Sequence, residues 1–118
     1  MATGVGIYTE MKPLKFKHEF VKEILKGRKT TTWRLFDDKN LKIGDKLEIV
    51  NRDSGESFAK ATITDIQKRR IKDLTDQELK NHGYSNISDM IDTHRGYYGD
   101  KVNVETEVKI IEFKLLNA

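Results

Sequence analysis

An α+β domain is what this sequence predicts, on three observations. Alternating apolar and polar residues flank a hairpin loop at Asn51–Gly55, apolar residues recur at helical spacing around Phe20–Leu25 and Ile87–His94, and the chain closes on a β-rich run from Val104 to Leu115. At 118 residues the chain is large enough for one core without metal or disulfide staples, so a single domain over residues 11–118 is expected.

Taken in order, residues Met1–Glu10, with Gly4 and Gly6 and little apolar pattern, read as a flexible leader. A strand over Lys12–Phe16 follows, with Pro13, the only proline, near its start, where a missing N–H costs least. Next comes a helix whose stripe Phe20, Val21, Ile24 and Leu25 predicts a buried face, and Gly27 suits the left-handed position that ends it. Phe36–Asn40 is a polar loop, and Ile43-Gly44-Asp45 turns into a strand where Leu47 and Ile49 alternate with Lys46 and Glu48. The returning strand, Phe58 to Ile66, sets Ala59, Ala61 and Ile63 on one face and Lys60, Thr62 and Thr64 on the other. Small alanines leave room inside a barrel.

Thr75 and Glu78 stand at capping-box spacing, so a short helix starts at Asp76 and stops before Gly83. Another begins near Asn86, and its face Ile87, Met90, Ile91 and His94 makes His94 a half-packed residue at the helix edge rather than a metal ligand. In the last strand Val104, Thr106, Val108 and Ile110 share one parity while Ile111, Phe113 and Leu115 share the other. Either a β-bulge near Ile110 or a change of covering layer along the strand must reconcile them.

The octapeptide Gly27-Arg28-Lys29-Thr30-Thr31-Thr32-Trp33-Arg34 concentrates cations, hydroxyls and an indole behind the first helix. Arg34 can grip phosphate oxygens, Lys29 supplies a mobile charge, and Trp33 offers a face for stacking. Spacing alone favours an ordinary strand, since Thr and Trp are strand formers and Lys and Arg often flank strands. On such a strand Lys29, Thr31 and Trp33 would form one face and Thr30, Thr32 and Arg34 the other. For Lys29 and Thr32 to share a site, Lys29 must belong to the loop or the backbone must bulge.

Read as GxKxxTxR, the octapeptide together with the preceding apolar helix, the Gly44-Asp45-Lys46-Leu47 turn and Tyr97-Tyr98-Gly99 before the final strand resembles the ASCH domain family of the PUA-like superfamily. The resemblance runs from about Leu14 to Leu115. It implies a small PUA-like β-barrel with about three helices packed outside, a cleft lined by the octapeptide, and RNA or a modified nucleoside as ligand. The small single-domain members include acetylcytidine amidohydrolases, whose motif lysine and threonine correspond here to Lys29 and Thr32, with an acidic residue as third group. That position is occupied by His82 or Asn81, with Glu78 one turn earlier, so Glu78 and His82 are the candidates left for it. For acyl transfer a base must take the threonine proton, and a lysine does so only when neutral; Arg28 and Arg34 nearby would favour that form.

The leading expectation is an RNA- or nucleoside-binding module. In it Trp33, Tyr97 or Tyr98 stack a base, Arg28, Lys29, Thr30, Thr32 and Arg34 fix its polar edge and phosphate, and the basic knot Lys68-Arg69-Arg70 extends the contact. The alternative is a hydrolase, acting on acetylated cytidine or, as a ribonuclease, on RNA. A purely structural domain is the third reading.

Net charge is only +3 although 35% of residues are charged, so the surface mixes signs and attraction to nucleic acid must come from local clusters. No cysteine is present, which excludes disulfides, thiolate zinc sites and thiol catalysis. His18, His82 and His94 lack zinc-site spacing, and no Walker or dinucleotide loop occurs, so neither a metal nor a cofactor is expected. A cytoplasmic monomer with no membrane association is the expectation.

Overall fold

The computed structural model describes residues 11–116. The leader read over residues 1–10 lies outside them. Five strands, β1 (Lys12–Phe16), β2 (Thr31–Leu35), β3 (Lys46–Asn51), β4 (Ser57–Arg70) and β5 (Glu107–Leu115), form one sheet in the order β1-β3-β4-β5-β2. Three α-helices, α1 (Val21–Leu25), α2 (Asp76–Asn81) and α3 (Ile87–Tyr98), complete the α+β fold.

The described chain divides into two compact units. The first holds residues up to Thr32, Lys39–Ile66 and the segment from Ile111, and its core gathers Leu14, Phe16, Ile24, Leu41, Leu47, Ile49, Ala61, Ile63, Ile111 and Phe113. β1 runs parallel to β3, and β3 antiparallel to β4. Across the latter pair Leu47 faces Ala61 and Ile49 faces Ala59, so each bulky side chain meets a small one. The register slips between Ile49 and Val50, and the slip lets both be buried although they are neighbours in sequence. Pro13 stands on β1, an edge strand, as its missing donor requires.

The second unit comprises Trp33–Asp38 and Gln67–Ile110. Its core is Trp33, Leu35, Ile71, Leu74, Leu79, Met90, Val102 and Val108, with Ile110 packed partly against it. Both capping-box bonds of α2 form: Glu78 N–H donates to Thr75 Oγ1 at 3.1 Å and Thr75 N–H to Glu78 Oε1 at 3.0 Å. Asn86 caps α3 through a bond from Asp89 N–H, 2.8 Å.

Three expectations are corrected. The last strand starts at Glu107, because Val104 and Thr106 belong to a turn closed by Thr106 N–H to the Asn103 carbonyl. Of the two ways offered to reconcile its parities, the change of covering layer is met: Val108 and Ile110 serve one core and Ile111 and Phe113 the other. β4 runs on to Arg70, which puts Lys68, Arg69 and Arg70 inside a strand. The stripe on α1 is narrower than its sequence suggests: Ile24 is buried, Phe20 and Val21 are half-buried, and Leu25 is 52% exposed. A five-residue helix after a 3-10 turn (His18–Phe20) advances about 100° per residue, so adjacent Ile24 and Leu25 cannot both face the core.

Ile24→Ala should therefore lower unfolding free energy by about 2–4 kcal/mol, whereas Leu25→Ala should change it by less than about 1 kcal/mol, measured by urea denaturation.

Candidate functional site

In the first unit the site residues follow from the way α1 stops. Gly27 has φ +75°, donates its N–H to the Ile24 carbonyl at 3.0 Å, and is followed by Arg28, whose N–H reaches the Glu23 carbonyl at 2.9 Å. That pair of bonds is the Schellman pattern, and Lys29 N–H joins the same Glu23 oxygen at 3.1 Å. A Cβ built at Gly27 meets nothing within 4 Å, so the demand for glycine is one of backbone conformation and not of space.

The turn leaves Lys29 two residues ahead of β2. Lys29 is thus a loop residue, and strand alternation does not force it away from Thr32. Its Nζ donates to the Thr31 carbonyl at 3.0 Å and lies 4.8 Å from the Phe20 ring centroid and 5.9 Å from that of Phe16. Arg28 is exposed and pairs with Glu23 at 3.4 Å. Thr30 is also exposed, and its carbonyl accepts from Phe113 N–H at 2.9 Å. Thr32 is buried.

In the second unit Trp33 stacks on His82, with centroids 4.2 Å apart and planes 4° from parallel. With Tyr84 tilted against it at 5.6 Å, Trp33 is only 7% exposed. An imidazole thus covers one face of the indole that sequence reasoning offered to a base. Burial pushes the Arg34 guanidinium below the usual arginine range, and Tyr98 pushes the other way; the group remains a cation. Tyr98 Oη accepts from Leu35 N–H at 3.4 Å, while Tyr97 is 47% exposed.

The basic knot is largely tied to acids. Arg70 and Lys72 both clasp Glu105, at 3.1 and 2.9 Å, and Arg69 lies 3.7 Å from Glu78 while donating to Gln67 at 2.8 Å. These ions hold Glu105 below the usual carboxylate range, the Lys72 hydrogen bond foremost. Glu78 uses one oxygen in the capping box and sets the other beside Arg69. Its role in this geometry is to hold α2 and a strand-end cation.

Three residues were missed by sequence reasoning, and one was misplaced. Phe36 opens the loop after β2 with φ +50°, is 43% exposed, stands edge-on to Tyr98 at 5.7 Å, and carries the Lys101 ammonium 4.3 Å from its ring centroid. Tyr84 links Trp33, His82 and His94. An aromatic at the head of a polar loop was the available signal for Phe36; Tyr84 and Lys101 gave none. His94, expected half-packed, is buried at 4% exposure, because Tyr84, Tyr97 and Tyr98 close around it. Its Nδ1 sits 2.9 Å from the Met90 carbonyl. Among the described residues no group of three or more metal-ligating side chains is placed to hold a metal, and no helix is long and apolar enough to cross a membrane.

A family profile described as the ASCH domain matches residues 8–117. Among solved structures, the chain is similar to an ASCH domain from Lactobacillus crispatus, 16% identical with a TM-score of 0.67, over 98% of this chain and 86% of that one. It is similar to a protein from Pyrococcus furiosus, 22% identical with a TM-score of 0.63, over 92% of this chain and 100% of that one. A mutant ZmASCH protein from Zymomonas mobilis is 14% identical with a TM-score of 0.58, over 89% and 72% of the two chains. At these identities the likeness shows the fold, the small PUA-like α+β kind. No curated protein matches the chain.

Two measurements check this geometry. Gly27→Ala should cost about 1 kcal/mol of stability from the left-handed backbone alone, and Gly27→Asn less, by urea denaturation. Burial lowers the His94 pKa from the usual 6.5, the Met90 hydrogen bond opposing it. The unfolded chain therefore takes up that proton first, and the stability linked to neutral His94 is full above the unfolded pKa and declines as pH falls toward the folded one. Urea midpoints should drop between about pH 7.5 and about pH 5.5, with a smaller drop in His94→Gln.

Proposed function

Because the chain belongs to the ASCH domain family, we propose that it is a binding module for single-stranded RNA or a nucleoside, with the octapeptide as its cationic element. The observation that carries the reading is the setting of Lys29. The Schellman stop fixes its backbone, and a carbonyl and two ring faces orient its side chain through contacts that suit an ammonium. A charged, oriented lysine suits a phosphate; a general base for Thr32 must instead be neutral. The residues left for a third catalytic group support binding as well, since Glu78 is engaged by Thr75 and Arg69, and His82 lies flat on Trp33.

Affinity in this reading comes from a few phosphate contacts and falls as salt rises. Lys29 supplies the first in its unit. In the other, Lys72, Arg69 and Arg70 exchange partly solvated acid partners for phosphate oxygens, which exposed ion pairs permit because they are weakly held.

Titration of fluorescently labelled single-stranded RNA at low salt should show binding that Lys29→Ala weakens by about tenfold and whose salt slope is reduced by about one. Absence of binding to RNA and to nucleosides alike, or RNA binding indifferent to Lys29→Ala, would end this reading. A parallel incubation with acetylated cytidine separates the hydrolase alternative: acetate release that Thr32→Ala abolishes would put an enzyme in place of the binding module.

A further inference from the structure

Three polar ring atoms in the second unit stand apart from the cations discussed above. Among the described residues, the Trp33 indole N–H, the Tyr84 hydroxyl and His94 Nε2 make no hydrogen bond. Trp33 and His94 are more than nine-tenths buried, and Tyr84 is half-buried. A buried indole N–H or hydroxyl ordinarily finds a partner, so three orphans on touching rings call for an explanation. Tyr84 is the hub, its ring centroid 5.6 Å from Trp33 and 5.7 Å from His94.

Their chemistry is complementary rather than uniform. The Met90 carbonyl can only accept, so the His94 Nδ1 facing it carries the proton, and Nε2 of the neutral ring is a bare acceptor. Burial favours that neutral form. Burial also pushes the Tyr84 hydroxyl up to about 12, with Tyr97 and Asp89 acting in the same direction, so it stays an O–H that both donates and accepts. The Trp33 indole donates only. One donor, one acceptor and one group that does either make an uncharged set. Beside it stands the half-exposed Tyr97 ring, 6.1 Å from His94 and turned 73° to it.

We propose that Trp33, Tyr84, His94 and Tyr97 recognise the base of a nucleoside, Tyr97 supplying a stacking face and the three ring-edge atoms receiving the donor-and-acceptor edge of an uncharged planar heterocycle. This deepens the nucleic-acid reading and rests on it, adding a site for the base within the second unit. Stacking on an aromatic tolerates any base, whereas the mixed edge discriminates among them. An ionised ligand such as a sugar phosphate finds no counter-charge in these four side chains.

Trp33 is the only tryptophan of the chain, so a two-dimensional proton–nitrogen spectrum carries a single indole N–H resonance, on one of the proposed contact atoms. Titration with cytidine, uridine, adenosine and guanosine in turn, with ribose 5-phosphate as control, should shift that resonance saturably for at least one nucleoside, equally at low and high salt, and leave it still for the sugar phosphate. Tyr84→Phe, which keeps the ring and removes the hydroxyl, should weaken that nucleoside by about tenfold. Its thermal midpoint should stay or rise, because a hydroxyl without a partner stabilises nothing. The proposal falls if labelled RNA binds while no nucleoside moves the indole resonance, or if Tyr84→Phe binds as tightly as the unaltered chain; in both cases the binding-module reading survives. If neither RNA nor any nucleoside binds, both fall.

Discussion

The left-handed backbone at Gly27 is the constraint on which the octapeptide depends. Without it α1 would run on, Arg28 and Lys29 would become helical residues, and the carbonyl of Glu23 would lose two of its donors. A residue with a Cβ adopts that conformation at a cost of about 1–2 kcal/mol, comparable to a good helix cap, so the position is selective without any steric contact. The consequence reaches the chemistry directly. A lysine freed from helix and strand alike can lay its ammonium against a carbonyl and two aromatic faces, an arrangement that neither periodic structure would offer at that spacing.

Charge is handled locally throughout the described chain. Arg28 answers Glu23, Arg69 answers Glu78, Arg70 and Lys72 share Glu105, and Lys109 meets Asp37 at 2.6 Å with both side chains largely shielded from water. The 22 basic residues are offset by 19 acidic ones, which leaves the net charge of +3. The exposed pairs are screened and exchangeable, whereas the Lys109–Asp37 pair, little hydrated, acts as a fixture of its unit. For the Arg34 guanidinium burial is the largest influence on its pKa.

Much of the fold was legible because its signals are local. The Thr75 and Glu78 spacing gave both capping-box bonds, Gly27 marked the stop of α1, and the alternation of Leu47 and Ile49 with the turn at Asn51–Gly55 gave the antiparallel β3–β4 pair. The failures share a different cause, which is dependence on what lies across the core. Leu25 resembles Ile24 in sequence and differs only in the direction it faces, and His94 is buried because Tyr84, Tyr97 and Tyr98 close around it. Of the candidate residues, the octapeptide stood out as one contiguous run. The ring cluster did not, because Trp33 comes from β2, His82 and Tyr84 from the connection after α2, and His94 from α3, and no spacing rule links them.

Phe36 carries an implication for anyone who would use this domain as a scaffold. A bulky aromatic in the left-handed region is an uncommon and unfavourable backbone state, yet here it projects into solvent, with a lysine overhead and a tyrosine at its edge. Asn40, four residues on, adopts the same conformation with a side chain suited to it. Thermal hardening by design would therefore begin at position 36, where asparagine or glycine relaxes the backbone, and whatever that exchange takes away would measure what the strained ring contributes.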